Sequence, residues 1–371
     1  MDNRQSVIAI VIVIVVVSTT MFSIYYEPGI TSTQILETSA LETCKSIIYN
    51  GEGKVNILIF SDKDTATSYA DDLLLIEPFK KNKDAFNFYY VDSYTPSCEL
   101  YKGIALLCYS KELIKKAASC PDDYIVVIQD SEQKIRSSAY MNVVSLNSKH
   151  PHSVFAHEIG HAFANLAEEY TPSAILRNSQ NCASSCADFE DGEGCFKGCS
   201  DDNYYRSIDA GIMRTLSSKS YGSFDESLIE SRITKSLKMQ TITARAVYEP
   251  TSCENEQYYL IENNFINGSI TSVSTTIEQG CLGGNGIGSF NYSLIFENGS
   301  SQHFEEFNGK LIYTDEQGEQ QTVINGGAFE KEGVFYLRVP LMDGVKSIEI
   351  STEKGTIRAS LEGRGARPCR I

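Results

Sequence analysis

The chain opens on an uninterrupted apolar run, VIAIVIVIVVVSTTMFSIYY over residues 7–26, in which no side chain is charged. A helix needs about 20 predominantly apolar residues to cross the hydrocarbon core of a bilayer, so the run predicts one transmembrane anchor behind a short cytoplasmic tail, residues 1–6. Arg4 precedes the run and no Lys or Arg follows before Lys45. Positive charge favours the cytoplasmic side, which places the rest of the chain outside the cytoplasm. A cleaved signal peptide is the rival reading, but no small-x-small cleavage site follows the run.

After a polar linker, residues 27–53, the pattern changes. Val55-Asn-Ile-Leu-Ile-Phe60 reads as a buried strand, and Ala66, Tyr69, Ala70, Leu73 and Leu74 share one helical face before Pro78. A strand over 86–91, a helix over 106–118 and a strand over 124–128 continue the alternation, and an extended stretch follows at 139–146. This order predicts an α/β domain over residues 54–239, a mixed and mostly parallel sheet covered by helices. Beyond residue 240, short β-rich runs at 258–261, 269–278, 290–297, 310–313, 334–339, 347–351 and 356–361 alternate with Gly, Asn and Asp turns. They predict an all-β, sandwich-like domain over 240–371. The glycine-rich segment 280–288 opens no helix, so it reads as a flexible hairpin loop in preference to a phosphate cradle.

Composition narrows the function classes. The chain's 371 residues suffice for both domains, and 42% hydrophobic with 22% charged residues excludes a disordered, collagen-like or multi-span protein. With 32 Lys and Arg against 48 Asp and Glu, the net charge of −16 repels a phosphate backbone and excludes nucleic acid as a partner. The 11 Cys fit an oxidising compartment. Only five His occur, and four of them lie between positions 150 and 161.

Within that bunch, His157-Glu158-Ile159-Gly160-His161 puts two imidazoles four residues apart on one helical face, where both reach a single Zn2+. The flanking Val154, Phe155, Ala156, Ile159, Ala162 and Phe163 make the helix largely apolar. That is an odd setting for His-Glu-His unless the polar side chains share a purpose. Glu158 is placed to act as general base, taking a proton from water acidified by the metal and passing it to a departing amine, as in peptide hydrolysis. Glu168 lies eleven residues beyond His157, about 16 Å along a straight helix at ~1.5 Å per residue, too far to share the ion. The helix must therefore end between them, and Asn165 suits a left-handed cap that turns the chain back beneath the metal. Glu168 is the preferred third ligand and Glu169 the alternative, with the fourth position open to water. His150 and His152 lack a further His or Cys at ligand spacing and read as loop residues.

The run His157-Glu-x-Gly-His-x-Phe-x-x-Leu-Ala-Glu168-Glu-Tyr170 resembles the IgA-peptidase family of zinc metalloendopeptidases, a branch related to the metzincins, whose usual ending is Leu-Ala-Asp-Glu-Tyr. Landmarks at 55–59, 77–79, 86–93 and 123–127 resemble that family in the same order, so the likeness covers residues 54–225. The general metzincin pattern is not followed, since Ala164 stands at its glycine and Ala167 at its third histidine. The resemblance implies a metzincin-like catalytic domain with Zn2+ on His157, His161 and Glu168. It further implies that Met213, in Gly211-Ile-Met-Arg214, forms a methionine turn under the metal and that Tyr221 stabilises an oxyanion. Residues 139–146 would then be the edge strand that pairs with an extended peptide or protein substrate.

Cys182, Cys186, Cys195 and Cys199 are expected as two disulfides bracing an insertion, in preference to a structural zinc site. Asp188, Glu190, Asp191 and Glu193 inside it offer oxygen ligands to Ca2+, but the EF-hand pattern is missing and a solvated acidic loop is the better account. Cys98, Cys108 and Cys120 are expected to pair within the catalytic domain and Cys253 with Cys281, leaving a thiol near the anchor or at Cys369. Sequons at Asn267, Asn291 and Asn298 are compatible with glycans on the β-domain. The sequence thus points to a membrane-anchored, extracytoplasmic zinc metalloendopeptidase. The competing readings are a non-catalytic metal-containing scaffold whose β-domain holds a glycan or protein, and a zinc amidase acting on cell-wall or small amides.

Overall fold

Apart from Asn56, Val55–Phe60 is apolar on both faces because both faces are covered: Val55, Ile57 and Ile59 join one core, Leu58 and Phe60 another. A nearly continuous hydrophobic strand of this kind belongs inside a parallel sheet between layers. The computed structural model describes residues 41–173, 179–189, 193–243, 253–266, 269–284, 290–307, 311–313, 327–329, 332–352 and 355–361. The anchor expected at 7–26 therefore lies outside the described residues, as do Asn267 and Cys369. Among the described residues no helix is long and apolar enough to cross a membrane.

In chain order the first strands are β1 (Lys45–Ile48), β2 (Val55–Phe60), β3 (Phe86–Val91), β4 (Glu99–Tyr101), β5 (Ala105–Leu107), β6 (Tyr124–Gln129), β7 (Ser138–Tyr140) and β8 (Val143–Asn147). Then follow β9 (Phe196–Cys199), β10 (Asp201–Arg206), β11 (Gln257–Ile266), β12 (Ser269–Gln279), β13 (Phe290–Phe296), β14 (Ser301–Phe307), β15 (Leu311–Tyr313) and β16 (Gly327–Phe329). The last are β17 (Glu332–Pro340), β18 (Val345–Thr352) and β19 (Gly355–Ser360), and the α-helices among the described residues are α1 (Lys63–Leu73), α2 (Lys111–Ala117), α3 (Ser153–Ala164) and α4 (Ser223–Thr243).

The main sheet is mixed, in the order β1-β3-β2-β6-β8-β7-β15-β16, with β3, β2, β6 and β8 parallel. Helix α1 starts where the Asp62 carboxylate accepts from the Thr65 amide at 3.0 Å, and it buries Ala66, Tyr69, Ala70 and Leu73. Helix α2 begins at Ser110, whose hydroxyl accepts from the Leu113 amide at 3.1 Å, and so is shorter than the helix expected over 106–118. Residues 105–107 instead form a hairpin with β4, reversed at Lys102 and Gly103 with φ of 49° and 72° and tied at its base by Cys98–Cys108.

Two further expectations are corrected. The stretch 139–146 is not one edge strand, because Met141, at φ 58°, reverses the chain between β7 and β8, and β15 pairs with the outer side of β7. Part of the expected linker, 27–53, also belongs to the sheet: β1 pairs antiparallel with β3, and neighbouring Cys44 is disulfide-bonded to Cys120.

The carboxy-terminal part is all antiparallel, with sheets β12-β11-β17 and β14-β13-β18-β19 sharing one core. Alternation along its strands shows how it joins the rest. Tyr259 and Ile261 of β11 point into the sandwich, whereas Tyr258 and Leu260 pack into the core of the main sheet. On β17, Phe335, Leu337 and Val339 face inward while Arg338 makes a paired salt bridge to Asp122, both side chains fully buried. Among the described residues the two parts thus share the core that holds Leu58, Tyr258 and Leu260. The glycine loop is docked where it is described: the Cys281 amide donates to the Ala118 carbonyl at 2.7 Å, and the Gly284 amide to that of Asp122 at 2.7 Å. A Cβ at Gly283 would strike the Arg338 guanidinium and one at Gly284 the Asp123 backbone, so these glycines serve close approach and not flexibility.

Candidate metal centre

Helix α3 carries an unbroken buried segment, Val154 to Phe163, so its polar residues sit inside the protein. It ends at Asn165, which takes the left-handed conformation with φ 53° and ψ 35°. The Asn165 amide donates to the His161 carbonyl at 3.0 Å and the Leu166 amide to that of Gly160 at 3.2 Å, which satisfies the last carbonyls and turns the chain under the helix. That reversal returns Glu168 to the histidines.

The three side chains converge. Nε2 of His157 and Nε2 of His161 are 3.0 Å apart, and the Glu168 carboxylate lies 3.0 Å from the first and 3.3 Å from the second. His157, His161 and Glu168 are 1%, 4% and 2% exposed, and Glu158 is fully buried beside them. Both Nδ1 atoms face backbone carbonyls, Ile212 at 2.9 Å and Leu166 at 2.6 Å. A carbonyl only accepts, so each Nδ1 carries the hydrogen and each neutral Nε2 presents a lone pair to the centre. Two lone pairs and a carboxylate in mutual contact repel unless a cation or a proton lies among them. The donor set therefore fits a metal ion, and orienting an imidazole through its other nitrogen is the usual support for a ligand. Among the described residues this is the one such group of three.

Without an ion, a proton takes the metal's place. Burial opposes charge on His157, but the Glu168 carboxylate outweighs it, helped by Glu158, and lifts the imidazole to about 9. Burial likewise opposes ionisation of Glu168, yet His157 and His161 outweigh it and hold the carboxyl down at about 2.

Glu169 points elsewhere. Its side chain is fully buried toward Asp225 of α4, and burial, only partly offset by Arg206, pushes it up to about 8; burial and the Glu169 charge push Asp225 up as well. Its backbone joins the centre to the turn at 211–215: the Glu169 amide donates to the Met213 carbonyl at 2.9 Å, and Arg214 Nη1 to the Glu169 carbonyl at 3.1 Å. Met213 is fully buried against Gly160 of α3, one residue from the carbonyl that holds His157. Tyr221 is also fully buried, and its hydroxyl donates to the Ala156 carbonyl. In this arrangement the hydroxyl expected to meet an oxyanion faces the helix backbone.

His150 and His152 face other partners. His150 contacts the Gln133 carbonyl and the Ser137 hydroxyl, and His152 pairs with Asp72 while stacking on Tyr69. The four clustered cysteines form nested disulfides, Cys182–Cys199 and Cys186–Cys195. Of the acids proposed for Ca2+, Glu190 and Asp191 lie outside the described residues and Glu193 accepts from the Ser223 amide at 3.2 Å. Sequence reasoning missed Asn181 and Ser200, which grip the backbone on either side of Glu168, because no spacing rule links them to the histidines. The sequence matches no family model and no curated protein.

Proposed function

We propose that the protein is a zinc-dependent endopeptidase, exposed outside the cytoplasm, of the kind its histidine motif resembles. The observation that carries this is the convergence of His157, His161 and Glu168 with Glu158 at their side. Two imidazoles and one carboxylate suit zinc and leave a coordination position for water or substrate. A bound zinc ion would supply Lewis acidity, polarising the scissile carbonyl and acidifying water. The chain supplies the rest. Glu158 receives a proton and delivers it to the departing amine, and the carbonyls of Ile212 and Leu166 keep both imidazoles in the ligating tautomer. The five disulfides favour an oxidising compartment.

One observation favours a second reading, a structural ion without turnover: none of the four residues is more than 4% exposed, so a peptide reaches them only after a neighbouring segment moves. Metal content and cleavage of a peptide library, measured on the full chain and on Glu158→Gln, separate the two. The peptidase reading expects one zinc per chain in both proteins and cleavage by the wild type alone. Zinc without cleavage supports the structural reading, equal cleavage by both overturns the role given to Glu158, and absence of zinc overturns both readings.

A further inference from the structure

The third ligand arrives on irregular chain. Residues 166–169 belong to no helix or strand, so regular hydrogen bonding does not fix Glu168. The grip comes from the insertion. Asn181, fully buried, accepts from the Ala167 amide through Oδ1 at 2.7 Å and donates to the Ala167 carbonyl through Nδ2 at 2.9 Å. Both bonds fall on one residue, as a neighbouring strand would make them, and Ser179 buttresses Asn181 by donating to its Oδ1 at 2.6 Å. On the far side, the Ser200 hydroxyl donates to the Glu168 carbonyl at 2.6 Å.

Asn181 and Ser200 are each one residue from a half-cystine, Cys182 and Cys199, and these are bonded to each other. The sulfurs pack against buried Ala167, with Cys182 Sγ 3.6 Å from the Glu168 carbonyl oxygen and Cys199 Sγ 3.5 Å from that of Asn181. The second disulfide, Cys186–Cys195, lies at the surface, where both cysteines are exposed.

We propose that Asn181 is a positioning residue for Glu168, and that the Cys182–Cys199 disulfide holds Asn181 and Ser200 on the ligand segment, making metal affinity depend on this disulfide and not on Cys186–Cys195. The proposal rests on the reading of His157, His161 and Glu168 as a metal centre. Removing a residue that orients a ligand typically costs about 10- to 100-fold in metal affinity.

The test uses the full chain. Zinc affinity is measured by competition with a chromophoric chelator and ligand geometry by the visible absorption of the cobalt(II) form; folding is followed by far-ultraviolet circular dichroism. Asn181→Ala and the double variant Cys182→Ser/Cys199→Ser should each weaken zinc binding by about 10- to 100-fold and alter the cobalt spectrum. Cys186→Ser/Cys195→Ser should leave both within about twofold of wild type, a smaller change than removal of an orienting residue gives. Ser200→Ala, the mildest change, should lower affinity in the same direction and carries the test if Asn181→Ala does not fold. Wild-type affinity in folded Asn181→Ala, or equal losses on removing either disulfide, would overturn the proposal. A wild-type chain that takes up neither ion would overturn the metal centre itself, and the proposal with it.

Discussion

Gly160 sits between the two histidines and offers a sharp perturbation of the packing beneath them. A methyl group there would stand 2.8 Å from Met213 Sδ, 3.2 Å from Tyr221 Cε1 and 3.5 Å from Leu166 Cδ1. Met213 and Tyr221 are fully buried, and the Tyr221 hydroxyl is tied to the Ala156 carbonyl of the same helix, so the ring has little room to yield. Gly→Ala inside a helix is worth about 1 kcal/mol in backbone terms. Forcing an extra carbon into a filled core costs about 1–3 kcal/mol. The difference predicts that Gly160→Ala lowers stability by about 0–2 kcal/mol where an open helical position would gain about 1. Because Met213 adjoins the Ile212 carbonyl that orients His157, zinc should also stabilise this variant less than wild type. Urea unfolding of the metal-free and zinc-loaded proteins reads both effects. A Gly160→Ala protein that is about 1 kcal/mol more stable, with undiminished stabilisation by zinc, would refute the packing described.

Two further predictions concern the carboxylates and protons of the centre. Glu168→Gln should lower zinc retention during dialysis against a chelator by at least about tenfold, whereas Glu169→Gln should retain zinc because that side chain faces Asp225; equal retention by the two would contradict the ligand assignment. In the metal-free protein, His157 is raised from 6.5 to about 9, so its contribution to stability is complete below pH 6.5 and is lost as pH rises through 9. Glu168 is lowered from 4.5 to about 2, so its contribution is present above pH 4.5 and is lost as pH falls through 2. Glu169, raised to about 8, also favours the folded state less as pH rises toward that value. The urea midpoint of the metal-free chain should therefore fall between pH 6.5 and 9, and saturating zinc should flatten that limb; a midpoint that climbs across this interval would contradict the proton's place in the centre.

Elements with strong local signals were legible from the sequence. The largely apolar Val55–Phe60, the one-faced stripe of α1 and the strand Phe86–Val91 stand where periodicity puts them. The seven β-runs beyond 240 all fall on strands, but β14, whose SQHFEEF offers only Phe304 and Phe307 among polar residues, and the three-residue β16 give too little pattern to be expected. The short hairpin at 99–107 was hidden because its apolar Leu106 and Leu107 continue into a helical pattern, and the two residues that reverse it, Lys102 and Gly103, act through backbone conformation. At the site, helical spacing brought out His157 and His161, and the length of a straight helix required a break before Glu168. Neither argument reaches Asn181, Ser200 or Asp225, which meet the ligand segment only through tertiary packing. Gly283 and Gly284 show the same limit: composition shows where a backbone is free to bend, and only the neighbouring Arg338 and Asp123 show how closely these two glycines are approached.

The central claim is that His157, His161 and Glu168 hold one metal ion. Diffraction from zinc-loaded crystals, recorded on both sides of the zinc absorption edge, tests it most directly. The account predicts a single anomalous peak between the two Nε2 atoms and the Glu168 carboxylate. Loss of that peak in Glu168→Gln crystals would show that the carboxylate is a ligand. No peak there, or zinc only at the acidic insertion around Asp188 and Glu193, would contradict it.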